Sequence, residues 1–177
     1  MKVESQQNHD LTQLSKLIEN IPVCMLSSID ASGALVSRPM APLEMTYDGA
    51  IWFFTDLNSG KVGHLECANL SFVSESNGTY VSISGAAEIC QDQVHVENLW
   101  TPFARPWFPD GPQSNNIGLL KFLPNAAEYW DAPHSKLVRI FAVAASVIAS
   151  KPVGMGDHDT LTSLTKPVQN SIDRQII

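Results

Sequence analysis

The sequence predicts a mainly β fold (α+β), a barrel of six short antiparallel strands with short flanking helices. Several runs of the 177-residue chain are rich in β-branched and aromatic residues or alternate between apolar and polar residues with a period of two. Turn-forming residues separate these runs as they do in hairpins. The chain shows no strand–helix–strand alternation and no GxGxxG motif, which argues against a doubly wound sheet. A barrel-like fold is therefore favoured over a sandwich or a βαβ sheet.

The first forty residues predict a helix followed by a β-hairpin. Residues 10–19 carry apolar side chains at helical spacing, and Asp10 is the expected N-cap. Residues 23–29 and 34–40 are two runs joined by a turn that contains Asp and Gly, which indicates two antiparallel strands. Pro39 stands at the end of the second strand, where its missing N–H is tolerated.

The middle of the chain predicts a strand, a helix and a second hairpin. Residues 51–55 are strongly aromatic and β-branched, as expected for a strand. Residues 59–67 fit one short helix capped by Asn58 or Ser59. Residues 70–74 and 79–89 flank a Ser-Asn-Gly turn and predict a hairpin, whose second strand alternates as a half-buried strand does.

The remaining residues predict further strands and helices and a polar tail. A helix, an aromatic loop, a strand and a continuation of the sheet after Pro124 are expected at residues 91–99, 101–116, 119–123 and 128–131. His95 on that helix is expected to be exposed. Residues 136–150 are apolar on most sides and predict a buried or interface helix. We therefore predict one domain over residues 1–150 and a polar, loosely held tail over residues 151–177.

Charge and cysteine content limit the functional class. The formal net charge is −7, with 11 basic and 18 acidic residues, which argues against a broad nucleic-acid-binding face. A compact anion site is still compatible with this balance, because one or two cations and backbone N–H groups can hold a phosphate. The three cysteines are widely spaced and the first twenty residues are polar, so we expect a soluble cytoplasmic protein with reduced thiols and no membrane partner.

One group of polar residues points to phosphate chemistry. Arg38 ends the second predicted strand, Thr55 ends the third, and Ser59 and Lys61 open the helix that follows. If the two strands are neighbours, a guanidinium, an ammonium and two hydroxyls meet, which is a common way to hold a phosphate dianion. The alternative is that the two cations are ordinary surface charges and the two hydroxyls cap a helix.

The same regions resemble a known family. LVSRPM at residues 35–40, together with residues 23–29, resembles the first hairpin of the pyridoxamine 5'-phosphate oxidase-like split-barrel flavoproteins. IWFFTDLNSGKV at residues 51–62 and YVSISGAA at residues 80–87 are similar to two further motifs of that family. WFPDG at residues 107–111 and AEYWD at residues 127–131 resemble its bacterial general stress protein branch.

The resemblance implies a six-stranded antiparallel Greek-key split β-barrel with short flanking helices, paired as a homodimer with FMN at the interface. By family analogy, Arg38, Ser59 and Lys61 contact the phosphate. Five residues lie along the ribityl chain and the isoalloxazine ring, partly through backbone groups: Pro39, Met40, Phe53, Phe54 and Thr55. Ser82 matches a polar flavin contact. Trp107 and Trp130 are candidates to cover the ring, with the partner chain as one source, or else aromatic anchors that pack a loop onto the barrel.

Departures from the family pattern leave the activity open. Gly60 stands where many relatives have a second basic residue, and the Arg-x-His signature of true pyridoxamine phosphate oxidases has no match near the C-terminus. The resemblance then implies an FMN-binding general-stress-type flavoprotein, either an oxidoreductase that uses NAD(P)H on a small molecule or a flavin carrier or sensor. A non-catalytic module for another planar ligand, FAD or haem, is the alternative. No catalytic residue is predicted. No metal site is predicted either, because His64 and Cys67 have no second ligand pair.

Overall fold

The computed structural model describes residues 1–58, 65–131 and 157–164 of the chain. In these stretches nine strands form a single sheet with two short α-helices. The elements are β1 (Lys2–Val3), α1 (His9–Ile18), β2 (Cys24–Ile29), β3 (Leu35–Met40), β4 (Glu44–Met45), β5 (Ile51–Asp56), β6 (Ala68–Ser74), β7 (Thr79–Cys90), α2 (Gln93–Leu99), β8 (Ile117–Asp131) and β9 (Asp157–Leu161). The six longest strands, namely β2, β3, β5, β6, β7 and β8, are the six that the sequence predicts.

The N-cap of the first helix lies two residues earlier than expected. Asn8 is the N-cap, with its side-chain oxygen accepting the Leu11 N–H at 2.9 Å, so the prediction of Asp10 as N-cap is wrong. Asp10 lies instead in the first turn, where a negative charge favours the helix dipole. The helix starts here because the chain before it is extended along β4, with Glu4 N–H donating to Met45 O and Gln7 N–H to Tyr47 O.

Both predicted hairpins are confirmed. β2 pairs with β3 and β6 pairs with β7, each in an antiparallel ladder. The β2–β3 turn is fixed by Asp30, whose carboxylate accepts N–H groups from Ser32 and Ala34, and by Gly33 at φ 84°. Local turn chemistry therefore sets the register of this hairpin.

The predicted strand segments around Pro124 form one long strand, β8. Its register with β7 shifts between Ser84 and Gly85, so that Ser84 faces Ala126 while Gly85 faces Pro124. The extra residue on β8, Asn125, forms a β-bulge beside a proline that has no N–H for the ladder. The sheet continues past the proline, as predicted from the sequence.

The strand order is β1-β4-β5-β8-β7-β6-β2-β3, with β9 added to β8. β8 is longer than its neighbours: β7 pairs along one edge, while β5 and β9 share the other edge. One face of this curled sheet, here the inner face, packs with α1 around the largest buried side chains, which include Phe53, Phe72 and Phe122. A second apolar cluster on the outer face joins β5 and β8 to α2.

Part of the predicted tail differs from expectation. Residues 157–161 form β9, which pairs antiparallel with β8 from Asp131↔Asp157 to Ala127↔Leu161. Leu161 and Leu164 are buried in the main core, so a loosely held tail is wrong for these residues. Four of the five residues of β9 are exposed and show no strand pattern of their own. β9 therefore forms because the edge of β8 beyond β5 is available for pairing. The domain boundary at residue 150 stays a prediction.

Two predicted helices lie largely or wholly outside the described residues. Only residues 65–67 of the predicted helix at 59–67 are described, and they form a turn. The predicted helix at 136–150 lies entirely outside. The predicted helix at 91–99 is confirmed as α2, which begins at Gln93 after the Asp92 cap. Over the parts of the chain that are described, no helix has the length and apolar character needed to cross a membrane.

Candidate ligand-binding slot

The described part of the sheet is open between β3 and β5, and this opening is here called the slot. Among the described residues, β3 pairs only with β2, so its other edge carries no strand. In the described ladders, β5 pairs with β4 at Ile51 and Trp52, and its residues 53–56 pair with β8. Residues 41–43 join β3 to β4 and span at most about 14 Å between the Cα atoms of Met40 and Glu44. The link and β4 therefore hold β3 and β5 close together at one end of the slot, and no described ladder joins the two strands further along.

The β4–β5 register shows which residues line the slot. Glu44 faces Trp52 and Met45 faces Ile51, and Leu43 N–H still donates to Trp52 O at 2.9 Å. The same register extended backwards would set Arg38 opposite Asn58. The condition stated from the sequence, that the second and third strands are neighbours, is not met as hydrogen-bonded pairing: the two strands instead form the walls of the slot. Ser59 and Lys61 lie outside the described residues.

Arg38 supplies a cation at the wall formed by β3. Its side chain is half-buried on the inner face, and Nη2 lies 3.5 Å from the hydroxyl of buried Ser28 on β2. Met40 lies on the same face and packs against the main core, and its carbonyl accepts the Cys24 thiol at 3.6 Å. Pro39 points to the outer face, where it is exposed. The C-terminal half of β3 therefore offers the slot a guanidinium and a strand edge.

The wall formed by β5 offers main chain rather than side chains. Phe53 is fully buried in the main core. Phe54 points the opposite way and contacts Trp100 and Phe108, with ring centroids at 5.9 and 6.0 Å. Thr55 is half-buried opposite Gly118. Because both phenylalanine side chains are occupied by packing, these two residues can reach a ligand in the slot only through backbone groups.

Three predicted site residues lie away from the slot. Ser82 is on the outer face of β7 and accepts the side-chain amide of Asn69 at 2.9 Å. Trp130 is on the outer face of β8, where it stacks on His158 at 4.9 Å. Trp107 is 75% exposed on the loop after α2, and its neighbour Phe108 is the residue that packs this loop onto the sheet.

The two tryptophans are also far from each other within one chain. The loop that carries Trp107 packs through Phe108 beside Leu119, near the start of β8. Trp130 lies eleven residues further along β8, or about 35 Å for an extended strand. One chain therefore does not bring both tryptophans to a single ring, and any shared role for them requires the partner chain.

A charged cluster at the closed end of the slot escaped the sequence reasoning. Glu44 opens β4, its side chain is only 6% exposed, and its two oxygens contact Lys2 Nζ at 2.6 Å and His95 Nε2 at 3.3 Å. We call these three residues the clamp. His95 is 23% exposed and lies edge-to-face with Trp52 at 4.4 Å, so the expectation of an exposed histidine is wrong. The residues are distant in sequence, and no local pattern links them.

The clamp keeps a buried carboxylate charged. Burial alone would raise the pKa of Glu44, but the hydrogen bonds and charges of Lys2 and His95 outweigh it and hold that pKa below its usual value. The hydrogen bond and charge of Glu44 in turn raise the pKa of Lys2. Within the described residues no group of three or more metal-ligating side chains is present.

A separate cleft of about 230 Å³ lies between α1, the β6–β7 turn and the end of β8. Its polar lining includes Lys16, Thr79 and Asp131, and none of the residues predicted from the sequence to form a site lines it. Six of the predicted residues, Arg38, Pro39, Met40, Phe53, Phe54 and Thr55, thus lie along the slot and not at this cleft.

Comparison with known proteins agrees with this architecture. The chain is 29% identical over 166 residues to protein bli-3 of Neurospora crassa, covering 86% of this chain and 79% of the relative. A crystal structure of the general stress protein 26 type from Jannaschia sp. CCS1 superposes with a TM-score of 0.69 at 26% identity, covering 86% of this chain and 98% of that one. The general stress FMN/FAD binding protein of Xanthomonas citri superposes with a TM-score of 0.58 at 27% identity, covering 70% and 89% of the two chains.

These likenesses confirm the mainly β split-barrel fold, whose sheet is open at the slot. The model of the family described as pyridoxamine 5'-phosphate oxidase like matches residues 9–153. That range contains all six long strands and α2, together with both walls of the slot. The chain therefore belongs to the pyridoxamine 5'-phosphate oxidase like family.

Proposed function

We propose that this protein is an FMN-binding flavoprotein of the general stress type, with the flavin held in the slot. The observation that carries the proposal is the placement of the Arg38 guanidinium on β3 across the opening from residues 53–56 of β5, two strands that no ladder joins among the described residues. Strand edges present alternating N–H and C=O groups, which match the donors and acceptors along the edge of an isoalloxazine ring. The relative from Xanthomonas citri, described as an FMN/FAD binding protein, supports the same ligand class.

The residues of the slot divide the binding work between them. Arg38 gives charge-assisted hydrogen bonds to the phosphate, and the sequence adds Ser59 and Lys61 to the same set. Pro39, Met40, Phe53, Phe54 and Thr55 contribute main chain along the ring. Isoalloxazine accepts and releases electrons, and that is the chemistry a bound FMN supplies. The protein's own part is to hold the ring and to control what reaches it.

Two roles follow for such a protein, and one measurement separates them. In the first, NAD(P)H reduces the flavin, which then reduces a small molecule. In the second, the protein stores or senses flavin without turnover. Flavin-dependent oxidation of NAD(P)H by the purified protein supports the oxidoreductase, and its absence at saturating flavin supports the carrier. The activity of a true pyridoxamine phosphate oxidase is not proposed.

The visible spectrum tests the flavin itself. Absorption bands of oxidised flavin in the purified protein, or after addition of FMN, support the proposal. A Soret band would support the second candidate, a binding module for haem, and tighter binding of FAD than of FMN would shift the ligand to FAD. A protein that stays colourless and ignores added FMN refutes the proposal.

A matched pair of arginine variants locates the site. Arg38→Ala removes the guanidinium at the slot, whereas Arg105→Ala removes an exposed one on the loop after α2. A hydrogen bond to a charged group contributes about 1.5–3 kcal/mol, so Arg38→Ala should weaken FMN binding about 10- to 100-fold. Lys61→Ala should act in the same direction. Equal affinities for Arg38→Ala and Arg105→Ala would remove Arg38 from the site.

We also propose that two copies pair through the outer face of β2, β3, β6, β7 and β8. Small hydroxyls cover much of this face, for example Ser27 and Ser37, which share a 2.7 Å hydrogen bond. Beside them Val73, Tyr80 and Trp130 are exposed in directly paired positions. The charges on the described part of this face are few: Glu128 lies near Trp130, and Glu88 and Lys121, further along β7 and β8, form an ion pair at 3.7 Å, so two copies can approach with little repulsion.

The pairing has its own test. Ser71→Lys places a cation in the middle of the face, where two copies would oppose each other, and should convert a dimer to a monomer in sedimentation at micromolar concentration. Ala31→Lys, on the exposed β2–β3 turn, is the control and should leave the dimer intact. A wild-type monomer refutes the pairing.

The three cysteines of the protein are free. Because free cysteines are typical of a reducing compartment, we also propose that the protein is cytoplasmic.

A further inference from the structure

The clamp occupies the point where the two walls of the slot meet. Glu44 is the first residue of β4, and it follows the three-residue link from Met40 at the end of β3. Its cross-strand partner is Trp52, the last residue of β5 that pairs with β4. Beyond this pair no ladder joins β3 to β5 among the described residues. A displacement of Glu44 therefore moves the closed end of the slot.

Lys2 and His95 contact Glu44 at the closed end of the slot from two different elements. Lys2 N–H donates to Leu43 O at 2.9 Å while its ammonium donates to Glu44 at 2.6 Å, so β1 fixes both the main chain of the link and the carboxylate. His95 of α2 contacts the other carboxylate oxygen and also the ring of Trp52. His95 thus contacts one residue of β4 and one residue of β5 at the closed end of the slot.

The burial of Glu44 makes these contacts mutually dependent. It is the only charged side chain that is buried within the described residues. A buried carboxylate is costly without its partners, so the loss of one partner leaves a charge that draws in water or moves towards it. Either response displaces the start of β4, and with it the end of the link that closes the slot.

We propose that Glu44, His95 and Lys2 act as positioning residues that set the opening of the slot and hence its affinity for flavin. This inference rests on the proposed function, because it assigns a role in ligand binding to residues that do not touch the ligand. His95 is the residue that connects the slot to α2 and so to the aromatic loop that follows it. The clamp acts through the positions of residues 38–43 and through no contact of its own.

Two substitutions of the same histidine separate positioning from bulk stability. His95→Leu keeps an apolar side chain against Trp52 and removes the hydrogen bond to Glu44, whereas His95→Gln retains an N–H donor. Thr79→Val is the control: it removes a 2.6 Å hydrogen bond to Asp131 from another buried polar residue, at the opposite end of β7 from the second apolar cluster. Each protein is measured by amide hydrogen exchange with mass spectrometry and by FMN titration.

We expect His95→Leu to speed exchange in peptides covering residues 38–45 and to weaken FMN binding about tenfold. His95→Gln should restore both towards wild type, and Thr79→Val should change neither, even if it lowers the unfolding midpoint. Unchanged exchange at residues 38–45 in His95→Leu overturns the inference, as does faster exchange with unchanged FMN affinity. A wild-type protein that binds no flavin refutes the proposed function, while the exchange data still decide whether the clamp holds the slot.

Discussion

Gly85→Ala should be among the most disruptive single-methyl changes in this fold. Gly85 lies on the inner face of β7 where the β8 register shifts, opposite Pro124. A Cβ at this position would lie 2.2 Å from the carbonyl oxygen of Leu123 and 2.8 Å from the Phe122 ring. The oxygen belongs to the backbone of β8 at Leu123, which pairs with Ala86 of β7 and directly follows Phe122, a residue paired on both edges, and the Phe122 ring is fully buried. Neither neighbour can move alone.

The expected cost follows from two opposing contributions. Overpacking of a well-packed interior costs about 1–3 kcal/mol or more, and a backbone contact this short belongs at the upper end. Alanine offsets about 0.5–1 kcal/mol of this, because it restricts the unfolded chain more than glycine does. The net loss in the free energy of unfolding should be about 2–3 kcal/mol. For a chain of this size that corresponds to a fall in Tm of about 5–10 °C.

Gly118→Ala is the matched control on the neighbouring strand. Its Cβ would also be crowded, at 2.5 Å from Leu57, but only by the end of a leucine side chain. Rotation of Leu57 can relieve that contact, so the loss should stay below about 1 kcal/mol. Urea denaturation followed by tryptophan fluorescence and far-UV circular dichroism measures both variants. A Gly85→Ala protein within about 0.5 kcal/mol of wild type, or no more destabilised than Gly118→Ala, would refute the reasoning.

Three further results are expected. The pKa of Glu44 is lowered in the folded state, so the ionised Glu44 stabilises the fold fully above about pH 5, and this stabilisation is lost as the pH falls through the folded pKa. The difference in unfolding free energy between wild type and Glu44→Gln should therefore shrink from about pH 6 to pH 3. Leu161→Ala should cost about 2–4 kcal/mol in urea denaturation if β9 is part of the cooperative fold, and no measurable loss would show that it is not. With a thiol reagent at about pH 8, exposed Cys67 should react first, and Cys24, whose pKa burial raises to about 12, should react only on unfolding; mass spectrometry of the labelled peptides identifies the order.

Elements with a strong local signal could be predicted from the sequence. The β2–β3 turn contains Asp30 and Gly33 in the positions that the hairpin requires, and the alternation at residues 79–84 matches the burial of β7. The aromatic run at residues 51–55 likewise forms β5. In each case the residues that define the element also stabilise it, so the local sequence carries the necessary information.

Features set by distant residues could not be predicted in this way. The Asn8 cap depends on pairing of the preceding chain with β4, and β9 depends on an unpaired edge of β8. The clamp joins residues 2, 44 and 95, which belong to three separate elements. Arg38 was identified from its place in a strand, but the relation of that strand to β5 follows from closure of the whole sheet. Tertiary register, rather than propensity, determines all of these.

The pairing of Asp131 with Asp157 has a consequence for how this fold can vary. The two residues that flank the intervening 25 residues, 132–156, lie side by side on adjacent strands, so the ends of any connection between them are fixed by the β8–β9 ladder. Closing a flexible connection of twice that length would cost only about 0.6 kcal/mol more. On entropic grounds this junction therefore tolerates a change of length: a longer connection between Asp131 and Asp157 can be introduced by design while β8 and β9 keep their register.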